Sequence, residues 1–104
     1  VTGVQTCALP ILGLAYLYRG RCQQKLGMGE AALVDYNQAI AADPQAPLPY
    51  CYRSAIYEAR NNLKGAIADL EVAVTLLKSQ DLGPTLVAVE QKLNSLRDNF
   101  NFPP

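Results

Sequence analysis

With 104 residues, half of them hydrophobic, the chain is long enough for one small domain. Nine basic and nine acidic side chains give a formal net charge of zero, which argues against a nucleic-acid-binding surface and against attachment to an anionic membrane. The absence of histidine excludes a histidine-based catalytic triad or metal site on this chain. The sequence therefore predicts no enzyme, no metal site and no cofactor.

Residues 1–11, VTGVQTCALPI, carry no charge and no periodicity that continues into the next segment. They resemble the translation of a common short-read sequencing adapter, so we exclude them from the fold prediction as non-native. The alternative is a natural apolar N-terminus or the end of a signal peptide, although no basic segment precedes it. On the adapter hypothesis, we expect further repeats or another domain upstream in the natural protein.

An internal repeat organises the next part of the chain. The segment from Ala15 to Pro44 recurs thirty-four residues later without a gap. A repeat of this length indicates a unit that buries its apolar side only by stacking on a similar unit. The identical pairs are Tyr16 and Tyr50, Tyr18 and Tyr52, Arg19 and Arg53, Ala32 and Ala66, Asp35 and Asp69, and Ala39 and Ala73.

Each unit is predicted to contain two helices. In the first unit, Gly27 follows the last apolar residue of one helix and is typical of a helix stop. The second helix starts near Gly29 and ends at Asp43, because Pro44 lacks an amide hydrogen and disfavours helical dihedrals in the preceding residue. The same analysis of the second unit predicts helices over about residues 47–60 and 64–78.

Small residues stand where the two helices of a unit should cross. The first unit combines these small residues with two aromatic residues and a proline. This pattern resembles the tetratricopeptide repeat, and its residues are Tyr16, Gly20, Ala32, Tyr36, Ala39 and Pro44. The resemblance implies an all-α fold of helical hairpin repeats forming an α-α superhelix, with repeat 1 over residues 13–46 and repeat 2 over residues 47–80. Lys78 replaces the expected proline in repeat 2, so we expect its second helix to continue further.

A third amphipathic element has a helix start signal at Gly83 and Pro84. Its apolar residues recur at spacings of three and four, which is one face of a helix, at Leu82, Leu86, Val89, Leu93, Leu96 and Phe100. In a repeat array this element is a capping helix, predicted over residues 82–98, with a frayed tail over residues 99–104. Pairing as a coiled coil is the alternative, but the stripe lasts barely three heptads.

One charged pair also recurs, since Arg19 and Asp35 are repeated at the same separation as Arg53 and Asp69. The tetratricopeptide family usually places an interior apolar residue at the arginine position. A buried guanidinium needs a carboxylate on the facing helix, so we expect two structural ion pairs, one within each repeat. Solvation of all four charges is the alternative.

The two cysteines outside residues 1–11 are not expected to form a disulfide. Cys22 aligns with Ile56, which predicts a small core residue, whereas Cys51 falls on the other side of its helix. Free thiols are typical of a reducing compartment, and we expect a cytoplasmic protein.

The family resemblance also implies where a partner would bind. In tetratricopeptide proteins the first helices of successive repeats line a concave groove that takes an extended peptide or a partner's helix. By position, that groove would be lined by Leu14, Leu17, Tyr18, Arg21, Gln24, Lys25, Leu48, Cys51, Tyr52, Ala55 and Glu58.

Well-known co-chaperone members of the family hold a C-terminal carboxylate with lysines and asparagines at particular groove positions. Leu17, Arg21 and Tyr52 occupy three of those positions here, so that clamp is not expected. The implied function is a protein–protein interaction scaffold with a protein or peptide partner. The alternative is an accessory region of a larger enzyme or regulator whose active domain lies upstream.

Overall fold

The computed structural model describes the backbone of residues 2–101 and the side chains of residues 11–100. Across that range the chain forms helices and no strand, in the order α1 (Thr2–Lys25), α2 (Gly29–Ala42), α3 (Pro47–Ala59), α4 (Leu63–Ser79) and α5 (Gly83–Asn101). The chain divides into two compact units, unit 1 over residues 1–49 and unit 2 over residues 50–104. No helix in the described range combines the length and the apolarity needed to cross a bilayer.

Helices α1, α3 and α4 are each followed, two residues after their last residue, by a residue with a positive φ. Gly27 has a φ of 79°, and Asn61 and Asp81 have φ values of 60° and 56°. In each case the next residue donates its backbone N–H to a carbonyl five residues back, which satisfies the helix end. These bonds join Met28 to Gln23, Asn62 to Tyr57 and Leu82 to Leu77. The stop at Gly27 is the one that the sequence predicted from its glycine.

Helices α1 and α5 are longer than the predicted segments. Helix α1 begins at Thr2, ahead of the predicted start of repeat 1. The adapter hypothesis concerns residues 1–11, and of these the side chains of residues 1–10 lie outside the described part. Helix α5 continues to Asn101, so the tail predicted from Asn99 begins inside a helix. The sequence contains no glycine or proline between Pro84 and Pro103, which explains why the helix continues past residue 98.

Unit 1 is built on the close approach of α1 and α2. A Cβ atom at Gly20 would lie 2.7 Å from Cε1 of Tyr36 and 3.3 Å from the carbonyl oxygen of Ala32. Tyr36 and Ala32 are fully buried, and the Tyr36 hydroxyl donates a hydrogen bond of 2.6 Å to Oε1 of Gln24. A glycine is therefore required at the crossing, because a fixed aromatic ring occupies the space of any side chain.

Unit 2 has a larger apolar core that joins α4 to α5. Helix α4 has 17 residues against 14 in α2, consistent with Lys78 in place of proline. The stripe predicted on α5 is buried in its middle, whereas Leu82 and Phe100 at its ends are exposed. The buried cluster comprises Ala66, Leu70, Ala73, Leu77, Val89, Leu93 and Leu96.

Three ion pairs also join α5 to the rest of unit 2. Arg97 contacts Glu71 at 2.6 Å, Lys92 contacts Glu58 at 3.0 Å, and Lys78 lies 4.0 Å from Glu90. Ion pairs as exposed as these contribute about 0 to 1 kcal/mol each. The apolar cluster is thus the main reason that α5 stays on α4.

Candidate functional site

The structure brings Arg19 and Asp35 together on α1 and α2. Nε and Nη2 of Arg19 donate to the two carboxylate oxygens of Asp35, both at 2.7 Å. The Asp35 side chain is 3% exposed, whereas the Arg19 side chain is 62% exposed. The hydrogen bond to Asp35 raises the pKa of Arg19. The expectation of a buried guanidinium is wrong for Arg19, because the buried member of this pair is the carboxylate.

The equivalent pair in unit 2 is more enclosed. Nε and Nη2 of Arg53 donate to the Asp69 carboxylate at 2.8 and 2.6 Å, and the two side chains are 21% and 7% exposed. The guanidinium carbon lies 5.7 Å from the ring centroids of both Tyr50 and Tyr57, within cation–π range. The hydrogen bond to Asp69 raises the pKa of Arg53 although burial opposes it. We propose that each pair locks the two helices of its own repeat.

The predicted groove residues of unit 1 differ in exposure. Leu14, Tyr18 and Leu48 are exposed by 49%, 57% and 41%. Lys25 is exposed, Arg21 and Gln24 are half-buried, and Leu17 is buried at 4%. Oε1 of Gln24 accepts a hydrogen bond from the Tyr36 hydroxyl, so Gln24 also has a structural role within unit 1.

In unit 2, the predicted groove residues are more involved in packing. Ala55 is exposed, whereas Cys51 and Tyr52 are half-buried, and Cys51 packs against the apolar cluster. Glu58 is half-buried and pairs with Lys92 of α5. A partner that reached Glu58 would therefore compete with a lysine of the chain itself.

The two described cysteines are free thiols in different surroundings. Cys22 is exposed, so the prediction that it is a core residue is wrong, although Ile56 at the equivalent position is buried. The face of α1 that carries Cys22 also carries the exposed Arg19, and it is open to solvent in the described part of the chain. Burial, helped by the charge of Asp69, raises the pKa of the Cys51 thiol to about 11.

This pKa predicts slow alkylation of Cys51 by iodoacetamide in the folded protein. At pH 8 its thiolate fraction should be about one hundredth of that in the urea-unfolded chain, because the pKa is raised from 9.0 to about 11. The difference should shrink as the pH rises from 9 to 11, since the folded thiol then ionises. Peptide mass spectrometry separates Cys51 from the other cysteines, and equal rates at pH 8 in folded and unfolded protein would contradict the assignment.

An apolar cavity in unit 1 was not predicted from the sequence. Its volume is about 180 Å³, and it lies between the part of α1 from Gly13 to Leu17, the end of α2 and the start of α3. The signal that could have revealed it is Asp43, which stands where repeat 2 has the buried Leu77. The lining residues are Gly13, Leu14, Leu17, Ala39, Asp43, Ala46 and Pro49.

A larger and more polar cleft of about 460 Å³ lies between α4 and α5 in unit 2. Its lining includes the apolar residues Val74 and Leu93 and the ion-paired Glu71 and Arg97. Residues 11–100 contain no group of three or more Cys, Asp or Glu side chains placed to hold a metal ion.

Comparisons with known proteins bear on the fold. No protein-family model and no curated protein sequence matches this chain. Among solved structures, the chain is similar to the type III secretion translocator chaperone SycD of Yersinia enterocolitica, with a TM-score of 0.81 and 18% sequence identity. The alignment covers 94% of this chain and 69% of SycD. The chain thus has an all-α helical-repeat fold of the tetratricopeptide type, which confirms the predicted fold class.

Proposed function

We propose that this chain is a protein-interaction scaffold that binds an extended peptide or a helix of a partner protein. The binding surface would be formed by the first helix of each repeat, at the groove positions named above. The observation that carries this proposal is the exposure of Leu14 and Tyr18. They lie one turn apart on α1, so their side chains are neighbours on one helix face. Contiguous apolar patches mark interaction surfaces, and we propose that these two side chains belong to such a patch.

The same face of α1 changes from apolar to basic along its length. Leu14, Tyr18, Arg21 and Lys25 follow at spacings of four, three and four residues, which places them in one stripe. This order favours a partner that presents apolar side chains to the start of the stripe and acidic side chains to its end.

The fold similarity to SycD supports the same class of role. SycD is described as a translocator chaperone, and a chaperone acts by binding another protein. For this chain we propose protein binding without catalysis, as expected from its sequence.

Replacement of Tyr18 by glutamate tests the proposed surface. Peptides that bind the immobilised chain would be selected from a random phage-displayed library, and their affinities measured by fluorescence anisotropy. We expect Tyr18→Glu to weaken binding at least about tenfold, because it places a charge in the apolar part of the stripe. The matched control is Val34→Glu on α2, since Val34 and Tyr18 are both 57% exposed.

Val34→Glu should leave the affinity within about twofold of the original chain. Far-UV circular dichroism of both variants separates loss of binding from loss of folding. Equal affinities of the Tyr18→Glu variant and the original chain would exclude the first helix of repeat 1 as the binding surface.

A further inference from the structure

The cavity in unit 1 is open at one wall and closed at its base. Leu14 is about half exposed, so its side of the cavity reaches the surface, whereas Leu17 and Ala39 are 4% and 1% exposed and form the inner walls. Asp43 lines the cavity and is half-buried. Its Cβ lies 3.8 Å from the position of a Cβ built on Gly13, so the residue faces α1.

The internal repeat indicates what would fill this space. Ala39 and Asp43 are equivalent to Ala73 and Leu77 of repeat 2. Leu77 is fully buried in the apolar cluster of unit 2, together with Ala73. An isobutyl side chain thus stands beside the alanine in one repeat, whereas a short carboxylate and a cavity stand beside it in the other.

The size and charge of the cavity define its occupant. A dry apolar cavity of about 150 Å³ takes a guest of the size of benzene, so about 180 Å³ is enough for one leucine side chain. The Asp43 carboxylate accepts the backbone N–H of Gln45 at 3.1 Å, and it forms no ion pair with the described residues. A positive charge beside the aliphatic group would therefore complement this wall of the cavity.

We propose, on the basis of the interaction function above, that this cavity receives one leucine-sized aliphatic side chain of a protein partner. The partner carries a basic group next to that side chain, and the basic group pairs with Asp43. The cavity thus supplies an apolar binding site beside Leu14, at the apolar start of the α1 stripe. Of the residues in the predicted groove, Leu14 and Leu17 are the two that line it.

Small probes test the cavity without knowledge of the partner. L-leucinamide has an isobutyl group beside a cation, N-acetyl-L-leucine has the same group beside an anion, and glycinamide has the cation alone. With leucinamide, we expect saturable NMR shifts of the Leu14 and Leu17 methyl groups and a Kd in the millimolar range, as is usual for a ligand of this size. Binding of N-acetyl-leucine should be about two- to fivefold weaker, and glycinamide should cause no saturable shift.

Two variants should close the cavity. Asp43→Leu introduces the residue of repeat 2, and Ala46→Leu fills the same space from the loop before α3. Both should abolish the leucinamide shifts while the helical circular dichroism is retained. The matched control is Asp98→Leu, which removes an exposed carboxylate of α5 and should leave the shifts unchanged.

Absence of saturable shifts, or shifts that persist in both cavity variants, would overturn this inference. The result is separable from the proposed function. Suppose that selected peptides depend on Tyr18 but bind equally well to the Asp43→Leu variant. That result would support the proposed function and contradict the cavity site. Suppose instead that leucinamide binds saturably but no selected peptide depends on Tyr18. That result would support the cavity site and contradict the proposed binding surface.

Discussion

Replacing Arg53 by methionine is expected to lower the free energy of unfolding by about 2 to 4 kcal/mol. The change removes two charge-assisted hydrogen bonds of 2.6 and 2.8 Å and leaves the nearly buried carboxylate of Asp69 without its partner. The expected loss lies below that for a fully buried pair, because part of the Arg53 side chain still reaches water. Urea denaturation followed by circular dichroism measures it.

The double variant Arg53→Met with Asp69→Leu is the control for this interpretation. It removes both charges, so it should recover most of the stability that Arg53→Met loses. Arg19→Met should be less damaging than Arg53→Met, because Arg19 is largely exposed and water can replace it beside Asp35. Small, additive losses in the Arg53 and Asp69 cycle would show that this pair does not lock the repeat.

Replacing Gly20 by alanine is expected to lower the free energy of unfolding by about 1 to 3 kcal/mol, although alanine is the better helix former. The new Cβ would lie 2.7 and 2.9 Å from two carbons of the Tyr36 ring. The ring is fully buried and hydrogen-bonded to Gln24, so it has little freedom to move. For a domain of this size, the melting temperature should fall by about 4 to 8 °C per kcal/mol.

The second repeat supplies the control for this prediction. There Ser54 is equivalent to Gly20 and Leu70 is equivalent to Tyr36. Repeat 2 thus has a side chain at the crossing and a smaller residue than tyrosine opposite it, and both are buried. In a Tyr36→Leu background, Gly20→Ala should therefore be neutral or stabilising by up to about 1 kcal/mol. An unchanged penalty in that background would mean that the ring is not what requires glycine at this position.

Most of the fold could be predicted because helix ends and apolar faces are indicated by residues close together in the sequence. Gly27 and Pro44 mark the ends of α1 and α2, and the apolar spacing after Pro84 identifies α5. The stops at Asn61 and Asp81 are harder to predict, because these residues adopt left-handed dihedrals less readily than glycine does.

The surroundings of equivalent residues could not be predicted from the repeat. Equivalence suggested that Cys22 would be buried like Ile56 and Arg19 like Arg53. Burial also depends on what covers a helix face, however, and equivalent faces are covered differently in the two repeats. The cavity beside Ala39 also depends on tertiary packing, since Asp43 in isolation is typical of a residue before proline.

Photo-crosslinking of a bound peptide tests the central claim, that the first helices of the repeats bind a protein partner. A library-selected peptide carrying photo-leucine would be irradiated in complex with the chain, and the adducts mapped by mass spectrometry. The proposed function predicts adducts on α1 and α3, at or beside Leu14, Tyr18 and Tyr52. Adducts confined to α2, α4 and α5 would contradict it.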